Sequence, residues 1–236
     1  MTENVTMLFQ SHFNRNRKLP SYKKYKCSVV ESFDKILHIT SGLGLAPKSG
    51  SIDASIIEAK NDDDIVFDDY TCILMDHMVE IKDSTALGDK LADFVDKGGN
   101  VVVCMMSNVD NGVNYPAGRF TDYHPFKVEG FRYLPSLGDT VDICLENHPM
   151  MESVSKLEYQ SKLAIEGALH KRKRAGVEVV GKWKEDKGNV IGIRYNKKGL
   201  VVSIGCVCTD RWMKGDAYQL LKNAVRYRKH GGKKNK

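Results

Sequence analysis

The sequence predicts an α/β fold, doubly wound around a mostly parallel sheet flanked by helices. Three observations carry that prediction. Residues 71–75 (TCILM) and 100–105 (NVVVCM) are short, nearly continuous apolar runs, the pattern of strands buried on both faces. Between them lies a helical signature: Asp83 or Ser84 as N-cap, then Leu87, Leu91, Phe94 and Val95 on one face. Gly98-Gly99 supplies the positive-φ residue that stops this helix before the second run. Two buried strands joined by one helical crossover must run parallel. A similar strand-helix-strand order is read upstream, over residues 26–59.

Each element follows in order. Residues 1–24 form a basic N-terminal extension, in which 5–9 (VTMLF) fits a strand or a helix start. One domain is expected over 25–228, then a basic tail over 229–236. Residues 26–30 read as the first strand. Residues 31–44 read as a helix, with Phe33, Ile36, Leu37 and Leu43 at near-helical spacing and Gly42 and Gly44 as stops. A turn at 47–51 leads to a strand over 52–59, and 61–64 is an acidic loop. After Met106 the pattern loosens into 107–125, rich in Asn, Asp, Gly and Pro and too long for a routine connection. A strand is expected over 141–145, shorter elements over 159–169 and 177–183, and a hairpin formed by 188–195 and 200–206. The last element is a helix over 216–228, with Ala217, Leu220, Leu221, Ala224, Val225 and Tyr227 as its apolar stripe.

Composition excludes several function classes. No run of 18 apolar residues exists, so no transmembrane helix or membrane insertion is expected, and the N-terminal residues lack the pattern of a signal peptide. Six cysteines, at 27, 72, 104, 144, 206 and 208, sit mostly inside apolar runs without disulfide-framework spacing; reduced thiols in a cytoplasmic protein are expected. Cys206 and Cys208 share a strand face, but the nearby sequence offers no further pair of ligands, so no metal is expected. No G-x-G-x-x-G, Walker, H-E-x-x-H or C-x-x-C pattern occurs, and no cofactor is expected. The net charge of +6 is concentrated in 15–26, in Lys171, Arg172, Lys173 and Arg174, and in the tail from Arg226. These runs suit weak, salt-sensitive association with polyanions, or simply solvated termini and an exposed loop.

The run A-L-G-D-x-L-A-D-F-V-D-x-G-G-x-V-V-V (86–103), with G-R-F-T-D-Y-H-P-F (118–126), N-H-P-M-M-E-S-V (147–154), V-V-G-K-W (179–183), G-L-V-V-S-I-G (199–205) and G-D-A-Y-Q-L-L-K-N-A-V-R-Y (215–227), resembles the class I glutamine-amidotransferase-like superfamily. The likeness is greatest to its ThuA-like branches. It implies a flavodoxin-like sheet, and for active members a cysteine on a G-x-C-x-G elbow with a histidine and a carboxylate behind it. Cys104 is the nearest match, but it stands in V-V-C-M-M-S without flanking glycines. The region where the family's H-x-E is expected reads C-V-C-T-D-R-W. The triad is therefore expected to be absent.

Ligand binding, if any, is expected where 107–124 leaves the C-terminal end of the second buried strand. That segment holds Asn108, Asp110, Arg119, Asp122 and His124, and His77 follows the end of the first buried strand. Arg119 is the residue best suited to grip a carboxylate or phosphate with two parallel bonds. The alternative reading makes His77 part of an ordinary polar loop and lets His124-Pro125 and His148-Pro149 shape turns. Three functions follow in order of preference. The first is a non-catalytic binding or scaffold protein with a protein partner. The second is a ThuA-like enzyme or sugar-binding protein using the 107–124 loop. The third is a polyanion- or nucleic-acid-associated protein.

Overall fold

The structure, a computed structural model, describes residues 27–29, 35–40, 55–58, 65–75, 83–104, 117–126, 131–134, 139–159, 165–168, 173–184, 187–205 and 216–229. In chain order the strands are β1 (Cys27–Val29), β2 (Ile36–Thr40), β3 (Ser55–Glu58), β4 (Cys72–Met75), β5 (Asn100–Cys104), β6 (Phe131–Leu134), β7 (Asp139–Ile143), β8 (Leu157–Tyr159), β9 (Ile165–Ala168), β10 (Val177–Trp183), β11 (Asn189–Tyr195), β12 (Leu200–Ile204) and β13 (Tyr227–Lys229). The helices are α1 (Ser84–Lys97), a single turn α2 (Phe120–Tyr123) and α3 (Asp216–Arg226).

Among the described residues, nine strands form one mixed sheet in the order β3-β2-β4-β5-β12-β11-β10-β7-β8. From β3 to β12 every neighbour is parallel. From β12 to β8 every neighbour is antiparallel. The expectation of a mostly parallel sheet is thus corrected to an even division. The reason lies in the links: β11 reaches β12 through a tight turn closed by Asn196 N–H on Gly199 O at 3.0 Å. So short a connection permits only antiparallel pairing.

The central β4-α1-β5 unit forms as its residues dictate. All four residues of β4 and all five of β5 are buried. Their side chains alternate between two cores. Ile73, Met75, Val101, Val103 and Val201 join Leu37, Ile39 and the apolar face of α1. Cys72, Leu74, Val102, Cys104, Val202 and Ile204 join Ala217, Leu220, Leu221, Ala224 and Val225 of α3. Helices thereby cover both faces of the parallel half. Asp83 caps α1, its Oδ1 accepting from Thr85 N–H at 3.0 Å and Ala86 N–H at 2.9 Å. Gly98, at φ +115°, ends the helix in the left-handed region that favours glycine.

Three other expectations are corrected. Residues 36–40 form a strand where a helix was read over 31–44; the rest of that range lies outside the described residues. Ile36, Leu37 and Ile39 are buried on both faces, and β-branched Ile36, Ile39 and Thr40 favour the extended chain, so the near-helical spacing was coincidental. β1 does not open the main sheet but pairs antiparallel with β13 in a two-stranded sheet of its own. The last helix stops at Arg226, and Tyr227 begins β13.

Candidate functional site

The parallel strands β4, β5 and β12 end at Met75, Cys104 and Ile204, and their C-terminal ends define the edge predicted to hold a ligand. His77, Asn108 and Asp110 lie outside the described residues, as do Lys171 and Arg172. The segment 117–126 is described, and it returns to dock on α1. Ala117 N–H donates to Ser84 O at 2.8 Å. Its carbonyl passes so close to Gly88 that a Cβ there would lie 1.8 Å from the oxygen, which is why glycine occupies this helical position.

Arg119 staples that segment to the helix. Its guanidinium meets Asp93 at 2.5 Å and Asp96 at 3.0 Å, and its backbone N–H donates to Asp89 Oδ1 at 2.9 Å. The three acids are spaced so that one face of α1 presents them together. Tyr123 O–H adds a bond to Asp96 at 2.7 Å.

The other predicted residues of this segment meet the basic run. Asp122 is exposed; its carboxylate lies 3.6 Å from Arg174 Nη1, and its carbonyl accepts from the Arg194 guanidinium. Arg174 N–H donates to Pro125 O at 3.1 Å, and Phe126 bridges Lys173 in antiparallel fashion. The segment 117–126 and the run containing Lys173 and Arg174, far apart in sequence, therefore form one surface. Arg194 was not anticipated. Its signal was present: it is the one charged residue in β11 (NVIGIRY).

His124 is fully buried, with Nδ1 2.8 Å from Phe126 O and 3.2 Å from Phe126 N. Burial pushes its pKa down to about 4, the charges of Arg174 and Arg194 push the same way, and the Phe126 carbonyl opposes them. The imidazole is thus neutral at pH 7 and shapes the turn before Pro125. His148 does similar work before Pro149, its Nδ1 accepting from Met150 N–H at 3.1 Å as the N-cap of a short 3-10 turn.

A second polar constellation escaped sequence reasoning. His148, Glu178, Tyr195 and Tyr227 are each at most 9% exposed and connected in a chain. Tyr195 O–H donates to Glu178 Oε2 at 2.6 Å, Tyr195 and Tyr227 hydroxyls are 2.8 Å apart, and Tyr227 Oη lies 3.4 Å from His148 Nε2. Because His148 Nδ1 accepts, its ring proton sits on Nε2. The protons then run in one direction: imidazole to Tyr227, Tyr227 to Tyr195, Tyr195 to carboxylate. Burial, followed by the neighbouring Tyr227 and Glu178, pushes the Tyr195 pKa far up, so this hydroxyl stays protonated. The cluster lies at the opposite edge from the predicted site, since Tyr195 pairs with Leu200 at the start of β12. Closed to solvent, it stabilises a buried carboxylate.

Near that same edge a cleft of about 610 Å³ is lined by Asp68, Tyr70, Thr71, Phe94, Lys97 and Arg228, among others. Its cations are already engaged: Lys97 with Asp68 at 2.8 Å, and Arg228 with Val225 O at 2.6 Å and Thr71 Oγ1 at 3.3 Å. Cys104 is fully buried, and neither it nor Cys72 or Cys144 is in a disulfide. Among the described residues, no group of three or more His, Cys, Asp or Glu is arranged to hold a metal. No described helix is long and apolar enough to cross a membrane.

No protein-family model matches the chain, and no curated protein matches it either. Solved structures do. A cytoplasmic protein of Salmonella typhimurium, STM3548, matches with a TM-score of 0.62 at 14% identity, over 83% of this chain and 100% of that one. A putative ThuA-like protein from Bacteroides uniformis matches with a TM-score of 0.58 at 14% identity, over 81% and 89%. A β-galactosidase from Bacillus circulans sp. alkalophilus matches with a TM-score of 0.56 at 13% identity, but over only 31% of its own chain. At these identities the likenesses establish a shared α/β fold.

Proposed function

We propose that this protein is a non-catalytic binding or scaffold module on a glutamine-amidotransferase-like fold, acting in the cytoplasm through a protein partner. The finer fold reading, a doubly wound flavodoxin-like arrangement, belongs to this proposal and draws support from α1 and α3 lying on opposite faces. The observation that supports the function is the setting of Cys104. A nucleophilic thiolate needs solvent access and a nearby cation or helix N-terminus. Cys104 instead belongs to an apolar cluster with Leu74, Val102, Ile204 and Ala217, at 0% exposure. Arg119, the residue best suited to grip a ligand there, is also engaged: it holds 117–126 onto α1.

The test combines chemistry with assembly. Native protein is treated with iodoacetamide at neutral pH and assayed with amide, ester and glycoside substrates. It is also cross-linked in cell extract, and each partner is re-expressed and titrated by sedimentation. The reading expects an unalkylated Cys104, no turnover and a saturable complex that survives Cys104→Ala. Turnover abolished by Cys104→Ala would overturn it. Sugar-specific turnover or binding would move the assignment to the ThuA-like enzyme or sugar-binding reading.

A further inference from the structure

Two guanidiniums converge on one residue at the surface formed by 117–126 and 173–174. Arg194 reaches Asp122 through the backbone carbonyl, and Arg174 approaches its carboxylate at 3.6 Å, beyond hydrogen-bonding distance. The Asp122 side chain is 82% exposed and that of Arg174 only 25%. Two cations thus share one loosely held anion. Each guanidinium carries five N–H donors in a planar fork. Among the described residues, Arg174 makes no side-chain hydrogen bond and Arg194 makes one, to a carbonyl. Both are held on rigid supports: Arg174 by its N–H on Pro125 O, and Arg194 by its place in β11 between Val177 and Val201.

We propose that Arg174 and Arg194 form a binding site for a single phosphate group, presented by a phosphomonoester, with the Asp122 carboxylate as its built-in competitor. Two forks match the several oxygens of a phosphate better than the two oxygens of a carboxylate, which one fork would satisfy. A polyanion would need a row of cations, whereas Arg174 and Arg194 meet at the single residue Asp122. Burial and then the nearby Arg174 weaken the hold of Arg194 on its proton, a repulsion that a bound dianion would relieve. Such a site would serve an enzyme or a scaffold alike and involves no contact with Cys104.

Isothermal titration at constant ionic strength, with inorganic phosphate and phenyl phosphate as probes and acetate as control, tests it on the full chain. Removing a charged hydrogen-bonding partner should weaken phosphate binding about tenfold in Arg174→Gln and in Arg194→Gln. Asp122→Asn should tighten binding several-fold, because it deletes the competitor while leaving the carbonyl that Arg194 uses. Lys156→Gln, a cation paired with Glu158, should change nothing. Asp122 is exposed, so its variant keeps the test decisive even where an arginine variant fails to fold. Phosphate affinity unaffected by Asp122→Asn would overturn the site. So would binding confined to long-chain polyphosphate, titrated in a separate series at several salt concentrations, with a steep dependence on salt.

Discussion

Acidification isolates one buried side chain, His124. Its ordinary pKa of 6.5 falls to about 4 in the folded protein, first because it is buried and then because Arg174 and Arg194 stand near it. Within that window the unfolded chain binds a proton that the folded chain refuses. Stability from this residue is therefore complete above 6.5 and is lost as pH falls towards about 4. The gap corresponds to about 3 kcal/mol at 1.36 kcal/mol per pKa unit, a large share of the margin of a typical domain. His124→Asn removes the titration while Oδ1 can still accept from Phe126 N–H. Urea unfolding of both proteins, from about pH 7.5 to about pH 4.5, measures the difference, because other titrating groups cancel in the comparison. The wild type should lose about 2–3 kcal/mol more than the variant over that range. Two curves that stay parallel to within about 0.5 kcal/mol would refute the assignment of a neutral, buried His124.

Three further outcomes are expected. Tyr195→Phe should cost about 1–3 kcal/mol at neutral pH, since Glu178 loses its donor. It should also flatten the alkaline limb: above about pH 10 the unfolded tyrosine ionises while the folded one cannot, so wild-type stability falls there as pH rises. Thermal melts across that range read both effects. Gly88→Ala should displace 117–126 and lower the melting temperature, because its Cβ would meet Ala117 O at 1.8 Å; an unchanged melting temperature would show that the segment is not docked there. Asp83→Ala should cost about 1 kcal/mol and speed hydrogen exchange at the Thr85 and Ala86 amides, the two that Asp83 caps.

The central unit was legible because its signals agree at every level. β4 and β5 are apolar throughout, and Asp83 and Gly98 mark the helix between them. Residues 36–40 were not, because a strand buried on both faces shows no alternation, and Phe33, Ile36, Leu37 and Leu43 stand at near-helical spacing. The hairpin β11-β12 signals one antiparallel pair, but the pairing of β10 with β7 and of β7 with β8 carries no such local signal. For the site, local spacing brought Asp122 and His124 together but could not bring Arg174 and Arg194 to them, since those contacts cross 50 residues or more. The buried cluster was hidden for the same reason: positions 148, 178, 195 and 227 share no motif, and only Glu178, a lone acid in a valine-rich strand, hinted at it.

The pairing of β1 with β13 also sets how the molecule would respond to tension. Cys27 lies opposite Lys229, Ser28 opposite Arg228, and Val29 opposite Tyr227, so a pull applied at residues 27 and 229 loads the outermost pair first. An antiparallel pair loaded from one end opens like a zip, one rung at a time, whereas strands pulled lengthwise must break their rungs together. The first two rungs therefore offer little resistance. The load then arrives at Tyr227, whose hydroxyl is locked to Tyr195 and whose carbonyl is held by Asn100 Nδ2 at 2.9 Å. Pulled from these two points, the chain yields first at a weak outer fastening and meets its real resistance only at that buried ring.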